Sequence, residues 1–286
     1  MNKGEKTDRA KGKLWRTFKR NKTALAGAVI FLAILALAFL APWISPYDPL
    51  EHNVRDRLKP PGPVHLLGTD EFGRDVLSRI LWGTRISLSV GILSIGLGLL
   101  VGTALGTIAG YGGGRMGTLI MRLVDVLLSF PVLISGILVV AILGPGIEKL
   151  IFTIGLVFSP RFARLAYGPT LAIKEREYVY SARVIGVGNL RILTRYILPN
   201  ILGEILVAGT LWVGAAILTE TSLSFLGLGV PPPTPTWGNM IKTGIDRLTT
   251  EPWLCLFPGL SILATVLSIN MIGDGLRDIT DPKLRI

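Results

Sequence analysis

Long uncharged stretches alternate with short charged ones along this chain, and each uncharged stretch is long enough to be read as a membrane span. Leu25 to Ser45 carries no charge and crosses a bilayer as a helix at about 1.5 Å per residue. Ile86 to Gly114 is the longest uncharged run. A third span is predicted from about Leu123 to Leu143, with Asp125 near its start and Pro131 able to kink it. A fourth runs from Ile147 to Tyr167, with Arg161 and Arg164 in its last two turns able to snorkel to an interface. The fifth opens at Pro199 or Asn200 and ends near Glu220. Residues 221–241 are also uncharged, but Pro231, Pro232, Pro233 and Pro235 cannot continue a helix, so this segment is read as lying along a membrane face. The sixth span covers Pro252 to Gly273. The pattern predicts an all-α polytopic membrane protein with about six transmembrane helices.

The polar pieces divide the chain further. Residues 1–24 form a basic tail, 25–45 the first span, 46–85 a polar segment, 86–273 a core of five spans, and 274–286 a second tail. Within 46–85, Thr69 to Arg79 reads as a short helix with Thr69 or Asp70 as its N-cap. Glycines at 98, 102 and 106 lie one turn apart in the second span, a spacing that lets helices approach closely in lipid. The stretch Lys174 to Pro199 is polar, basic and helix-patterned between apolar runs. Tyr178, Ala182 and Ile185 recur on one helical face, and Gly186 and Gly188 interrupt the pattern before a second helix over Leu190 to Tyr196.

Composition supports the membrane reading. Mean hydropathy is +0.55 and half of the residues are hydrophobic. The net charge of +11 suggests a nucleic-acid partner until its distribution is considered. With both termini placed inside, 21 of the 30 Lys and Arg fall on cytoplasmic pieces, the bias expected of a cell-membrane protein rather than a nucleic-acid binder. Nine basic residues within the first 22 anchor the first span, which is read as retained rather than cleaved at Ala36-Leu37-Ala38. Cys255 stands alone, and His52 and His65 read as loop residues. No phosphate-binding G-x-x-x-x-G-K-[ST] run, metal cluster or nucleophile elbow occurs, so the chain is read as a non-enzyme that binds no cofactor itself.

Three separated motifs carry a family resemblance. Tyr180, Ser181, Ala182, Gly186, Leu198 and Pro199 fit the frame Glu-Ala-Ala, three residues, Gly, nine residues, Ile-x-Leu-Pro, with Tyr180 at the Glu position, Ser181 at the first Ala and Tyr196 at the Ile. The flanks GTDEFGRDVLSRILWGTRISLSVG (68–91) and TETSLSFLGLGVPPPTPTWGNMI (219–241) occur in the same order. Together they resemble the dipeptide, oligopeptide and nickel branch of binding-protein-dependent ABC importer permeases. The resemblance implies a type I importer permease fold forming half of a pore, with a cytoplasmic coupling loop over 168–199. It further implies a sister permease, two ABC ATPase subunits that hold ATP and Mg²⁺, and an extracytoplasmic substrate-binding protein. Glu177, Tyr180, Ser181, Ala182, Arg183, Gly186, Leu198 and Pro199 would then meet the ATPase. Asp70, Arg74, Asp75, Pro232 and Trp237 would meet the binding protein. A di- or oligopeptide is the expected solute, with nickel, glutathione or a glycosidic solute as alternatives in the same machinery.

Two rivals remain at this stage. A secondary transporter or channel without ATPases would show inverted repeats or ionisable groups at mid-membrane depth, and a scaffold would need neither the glycine-rich span nor the coupling loop. Glu220 is the pathway candidate, although capping the turn at Thr221 and Ser222 or pairing with an Arg of the sister permease suits it equally. Asp125 is expected to pair with Arg122 or Arg164.

Overall fold

The computed structural model describes residues 21–280, so all but the last four residues of the tail assigned to 1–24, and the end of the 274–286 tail, lie outside the described residues. Among the described residues the regular structure is helical, with one isolated bridge between Thr69 and Asp75. Helix α1 spans Lys22–Ile44, and Asn21 caps it by accepting from Ala24 N at 3.1 Å.

Helix α2 spans Val76–Gly112. Its N-cap is Asp75, whose side chain accepts from Ser78 N and Ser78 Oγ, both at 2.8 Å. The short helix expected over Thr69 to Arg79 does not form. Asp70 accepts from Phe72 N at 2.9 Å and from Arg74 N at 3.0 Å, and Gly73 sits at φ +73°. These bonds satisfy the backbone donors in a turn, so helix begins only at Val76 and runs through Arg79 and Arg85 into the uncharged stretch.

Helices α3 (Gly114–Ser129) and α4 (Val132–Leu143) meet at a 99° corner. The expected kink at Pro131 is thus a full break. Pro131 supplies no N–H, and Phe130 before it is extended at φ −87° and ψ 138°. Among the described residues five helices are long and apolar enough to cross a membrane, or six when this bent pair counts as one.

Helix α5 runs Ile147–Lys174 through Pro160 and Pro169, beyond the predicted end at Tyr167. It packs along α2 backbone to backbone. A Cβ at Gly102 would collide with Ser159 O, and one at Gly106 with Ala163 O, which is why the small residues recur each turn there. Helices α6 (Glu177–Val184) and α7 (Asn189–Ile192) follow. A π turn over Leu193–Ile197 joins α7 to α8 (Leu198–Phe225), making one apolar stretch of 37 residues from Asn189 to Phe225. Short α9 (Trp237–Gly244) follows the proline-rich loop, and α10 (Trp253–Thr280) closes the bundle.

The main core joins α2, α5 and α8. Phe158, Phe162, Ile154, Ile201 and Ile205 are buried there, and the Phe162 ring meets Trp212 edge-on at 4.5 Å. A second cluster around Leu88, Ile217, Trp237 and Ile269 fastens α1 and α10 to α2 and α8.

Candidate functional site

The polar loop between α5 and α8 builds a projecting surface. Inside α6, Val179 and Ala182 are buried and join the core cluster of Ile192 and Ile197. The sequence pattern put Tyr178, Ala182 and Ile185 on one helical face. The observed face is turned, with Val179 and Ala182 inside and Ile185 78 % exposed. The reason lies at the helix end: Gly186 at φ +80° lets Gly186 N donate to Arg183 O and Val187 N to Ala182 O, both at 2.9 Å. This left-handed stop carries Ile185 off the helix before it can turn inward.

Around that anchor the outward residues are mixed. Tyr180 is 68 % exposed, and Val184, Ile185 and Leu190 project beside it, while Glu177, Ser181 and Arg183 supply polar groups. Glu177 sits in the first turn of α6, where a carboxylate suits the helix dipole. The Arg183 guanidinium lies 4.8 Å from the Tyr111 ring centre, and Tyr111 Oη donates to Asn189 Oδ1 at 2.9 Å. These contacts tie the end of α2 to α6 and α7. Leu198 and exposed Pro199 open α8, so the projecting loop is continuous with the longest apolar stretch after α2. Val184 was not singled out from the sequence, and Ile185 and Leu190 were named there only for the helical pattern. Their signal is apolar residues set in a charged loop without helical spacing.

At the end of the bundle carrying residues 45–75, the expected binding-protein surface is mostly interior. Asp70, Arg74, Asp75 and Trp237 are all buried, and Pro232 alone of the five is exposed. Asp70 Oδ2 accepts from Arg74 Nε at 2.7 Å and lies 3.5 Å from Arg79 Nε. Arg79 Nη1 donates to Pro49 O at 2.9 Å. His65 Nδ1 lies 3.0 Å from Asp75 Oδ1, and the Lys59–Asp56 ion pair holds the Asp56 carboxyl below the usual carboxylate range. Asp70, Asp75, Arg74, Arg79 and His65 fold inward because they find one another, and Trp253 Nε1 donates to Thr69 O at 3.3 Å. The charged stretch whose residues were expected to meet the binding protein forms a clasp on the start of α2.

Glu220 is fully buried on α8. Its carboxylate accepts from Ser87 Oγ of α2 at 3.1 Å and from Ser224 Oγ at 2.7 Å, so it bridges two helices. Asp125 on α3 pairs with Arg164 on α5 and not with Arg122.

A bundle of membrane-length helices with an anchored, exposed helix at one end defines a multi-pass membrane protein. Residues 102–286 match the family described as binding-protein-dependent transport system inner membrane component, and residues 12–61 match the N-terminal TM domain of oligopeptide transport permease C. The chain belongs to the family of binding-protein-dependent transport system inner membrane components, as a transport permease. It is 43 % identical over 277 residues to a di/tripeptide transport system permease protein of Pseudomonas aeruginosa, covering 95 % of this chain and 91 % of that one. It is 44 % identical over 272 residues to a glutathione transport system permease protein of Pectobacterium atrosepticum, covering 95 % and 90 %. A chain of the MetNI methionine ABC transporter in inward-facing form shares the fold, with a TM-score of 0.57 at 17 % identity over 71 % of this chain and 97 % of that one.

Proposed function

We propose that this permease imports small peptides as one of two pore subunits in an ATP-driven complex. A sister permease, two ATPases carrying ATP and Mg²⁺, and an extracytoplasmic binding protein complete the machine. The observation that carries the reading is α6: a short helix pinned by Val179 and Ala182, with Tyr180, Ser181 and Val184 turned outward. Helix-in-groove docking uses such a helix, buried on one side and apolar on the other. Closure of the ATPases would push α6 and, through the α7–α8 continuum, re-aim the span that ends at the Glu220 bridge. The positive bias of the α2–α3 turn and of the 161–195 segment supports a cytoplasmic position for α6 and for both termini.

On this reading Ala182 and Gly186 set the pose of α6, while Tyr180, Ser181, Glu177 and Arg183 meet the ATPase. Pro232 remains on the surface offered to the binding protein, with Asp70, Arg74, Asp75 and Trp237 shaping that surface from beneath. Peptide cargo is favoured by the di/tripeptide relatives, and the glutathione relatives favour a second peptide-like solute, the tripeptide glutathione itself.

The test is affinity purification of the tagged chain from native membranes in mild detergent, then uptake by the reconstituted complex. Recovery of a second permease and P-loop ATPases, with ATP-dependent uptake of labelled dipeptide, is the expected result. Recovery of this chain as a homo-oligomer alone would sink the importer reading. Uptake of nickel but not peptide would overturn the cargo.

A further inference from the structure

A rare kind of turn joins the exposed loop to the span that follows it. Leu193–Ile197 form a π turn, in which Leu198 N donates to Leu193 O, five residues back instead of four. The sequence supplies the cause. Pro199 has no N–H, and in an unbroken α-helix its ring would press on the carbonyl four residues earlier, at Arg195. One extra residue in the turn relieves that contact, and Asn200 Nδ2 donates to Tyr196 O at 2.6 Å beside the proline. The extra residue also sets the register of the core. Ile197, Ile201 and Ile205 recur every four residues and are buried, and Ile192 is buried with them although it lies five before Ile197. An α-helical turn would bring Leu193 to the inward side and swing Ile192 away by about 100°. Ile192 shares its cluster with Val179 and Ala182, the anchor of α6, and the Tyr196 ring stacks on Tyr178 at 6.5 Å. The pose of α6 is therefore tied to α8 through this turn.

We infer that Pro199 is a positioning residue for import: it holds the π turn, and the turn holds α6 in the register to α8 from which it is gripped. The inference rests on the importer reading above, in which α6 meets an ATPase. The penalty for proline inside an α-helical ladder is worth about a hundredfold in the balance between the two turns. That bias keeps the loop in one register while it is pushed. Without it the loop and the span can slip by one residue, and a push on α6 is absorbed in the turn instead of reaching α8.

The register is read on the protein purified in detergent, with Ile192→Cys in a Cys255→Ser background. That thiol should resist a water-soluble maleimide while Pro199 is present, and react about tenfold faster once Pro199→Ala is added. Transport is read on the whole reconstituted complex, where Pro199→Ala should lower dipeptide uptake per ATP hydrolysed about tenfold. Deleting Thr194, an exposed residue of the turn, from the Pro199→Ala chain restores the spacing of four between Ile192 and Ile197. It should bring back both the protection of the thiol and the uptake ratio, a rescue that a proline needed only for folding would not show. A thiol that stays protected in Pro199→Ala would mean that core packing alone sets the turn. A labelled thiol with an unchanged uptake ratio would mean that the register does not matter to import. Either result overturns the inference. If Pro199→Ala does not fold, the deletion variant decides, and its failure to import would overturn the inference as well. A parent complex that recovers no ATPases would instead sink the importer reading. The role in import would fall with it, while the thiol result on the turn would stand.

Discussion

Asp75 holds two structures at once. Its Oδ2 closes the first turn of α2 at Ser78, and its Oδ1 takes His65 from the segment folded above. Replacing it with Ala removes a cap and strands a buried imidazole, so Asp75→Ala should lower unfolding stability in detergent by about 2 kcal/mol or more, read from the thermal transition. His65→Gln keeps one donor and should lose less. Glu220 is a different case. Glu220→Leu removes an acceptor shared by Ser87 and Ser224, but both hydroxyls sit on helices and can turn to backbone carbonyls one turn back. The expected loss is therefore only about 1–2 kcal/mol. A much larger loss of transport than of stability would return Glu220 to the pathway.

At the scale of elements, the α2–α5 contact carries the sharpest expectation. Gly106 on α2 faces the Ala163 carbonyl with no room for a side chain, whereas Gly96 on the same helix has nothing within 4 Å of its Cβ position. Gly106→Leu should abolish a stable bundle, while Gly96→Leu should purify with a thermal transition within a few degrees of the parent. Equal behaviour of the two would mean that the helices separate readily. The glycine spacing was legible in the sequence because close packing demands the same small residue each turn. The spans were legible because hydrocarbon tolerates few charges. The 99° corner at Phe130–Pro131 was not, because proline in an apolar run marks a break without stating its angle. Nor was the true start of α2, where Asp70 spends its oxygens on Phe72 and Arg74 and leaves capping to Asp75. The inward fold of Asp70, Arg74 and Asp75 escaped detection for a related reason. Sequence shows each charge but not its partner, and Asp70–Arg79 or His65–Asp75 are pairs only in space.

For the molecule as a whole, the question is whether α6 is a handle or only a loop. The chain invests buried side chains, a left-handed glycine and a ring contact from Arg183 to Tyr111 in holding a helix whose outer face is exposed. Tyr180 and Val184 lie four apart on that outer face. Tyr180→Asp with Val184→Asp puts two charges there without touching Val179 or Ala182, so the permease itself should melt as before. If α6 is seated in a groove of an ATPase, burying those carboxylates should cost several kcal/mol, and the ATPases should be lost from the purified complex while the sister permease stays. Ala182→Glu, by contrast, attacks the anchor and should damage both the fold of the loop and the docking. The two variants thus separate contact from support. ATPases retained by the Tyr180/Val184 variant at parental levels would show that the grip lies elsewhere on the loop, and Ile185 and Leu190 would be the next residues to charge.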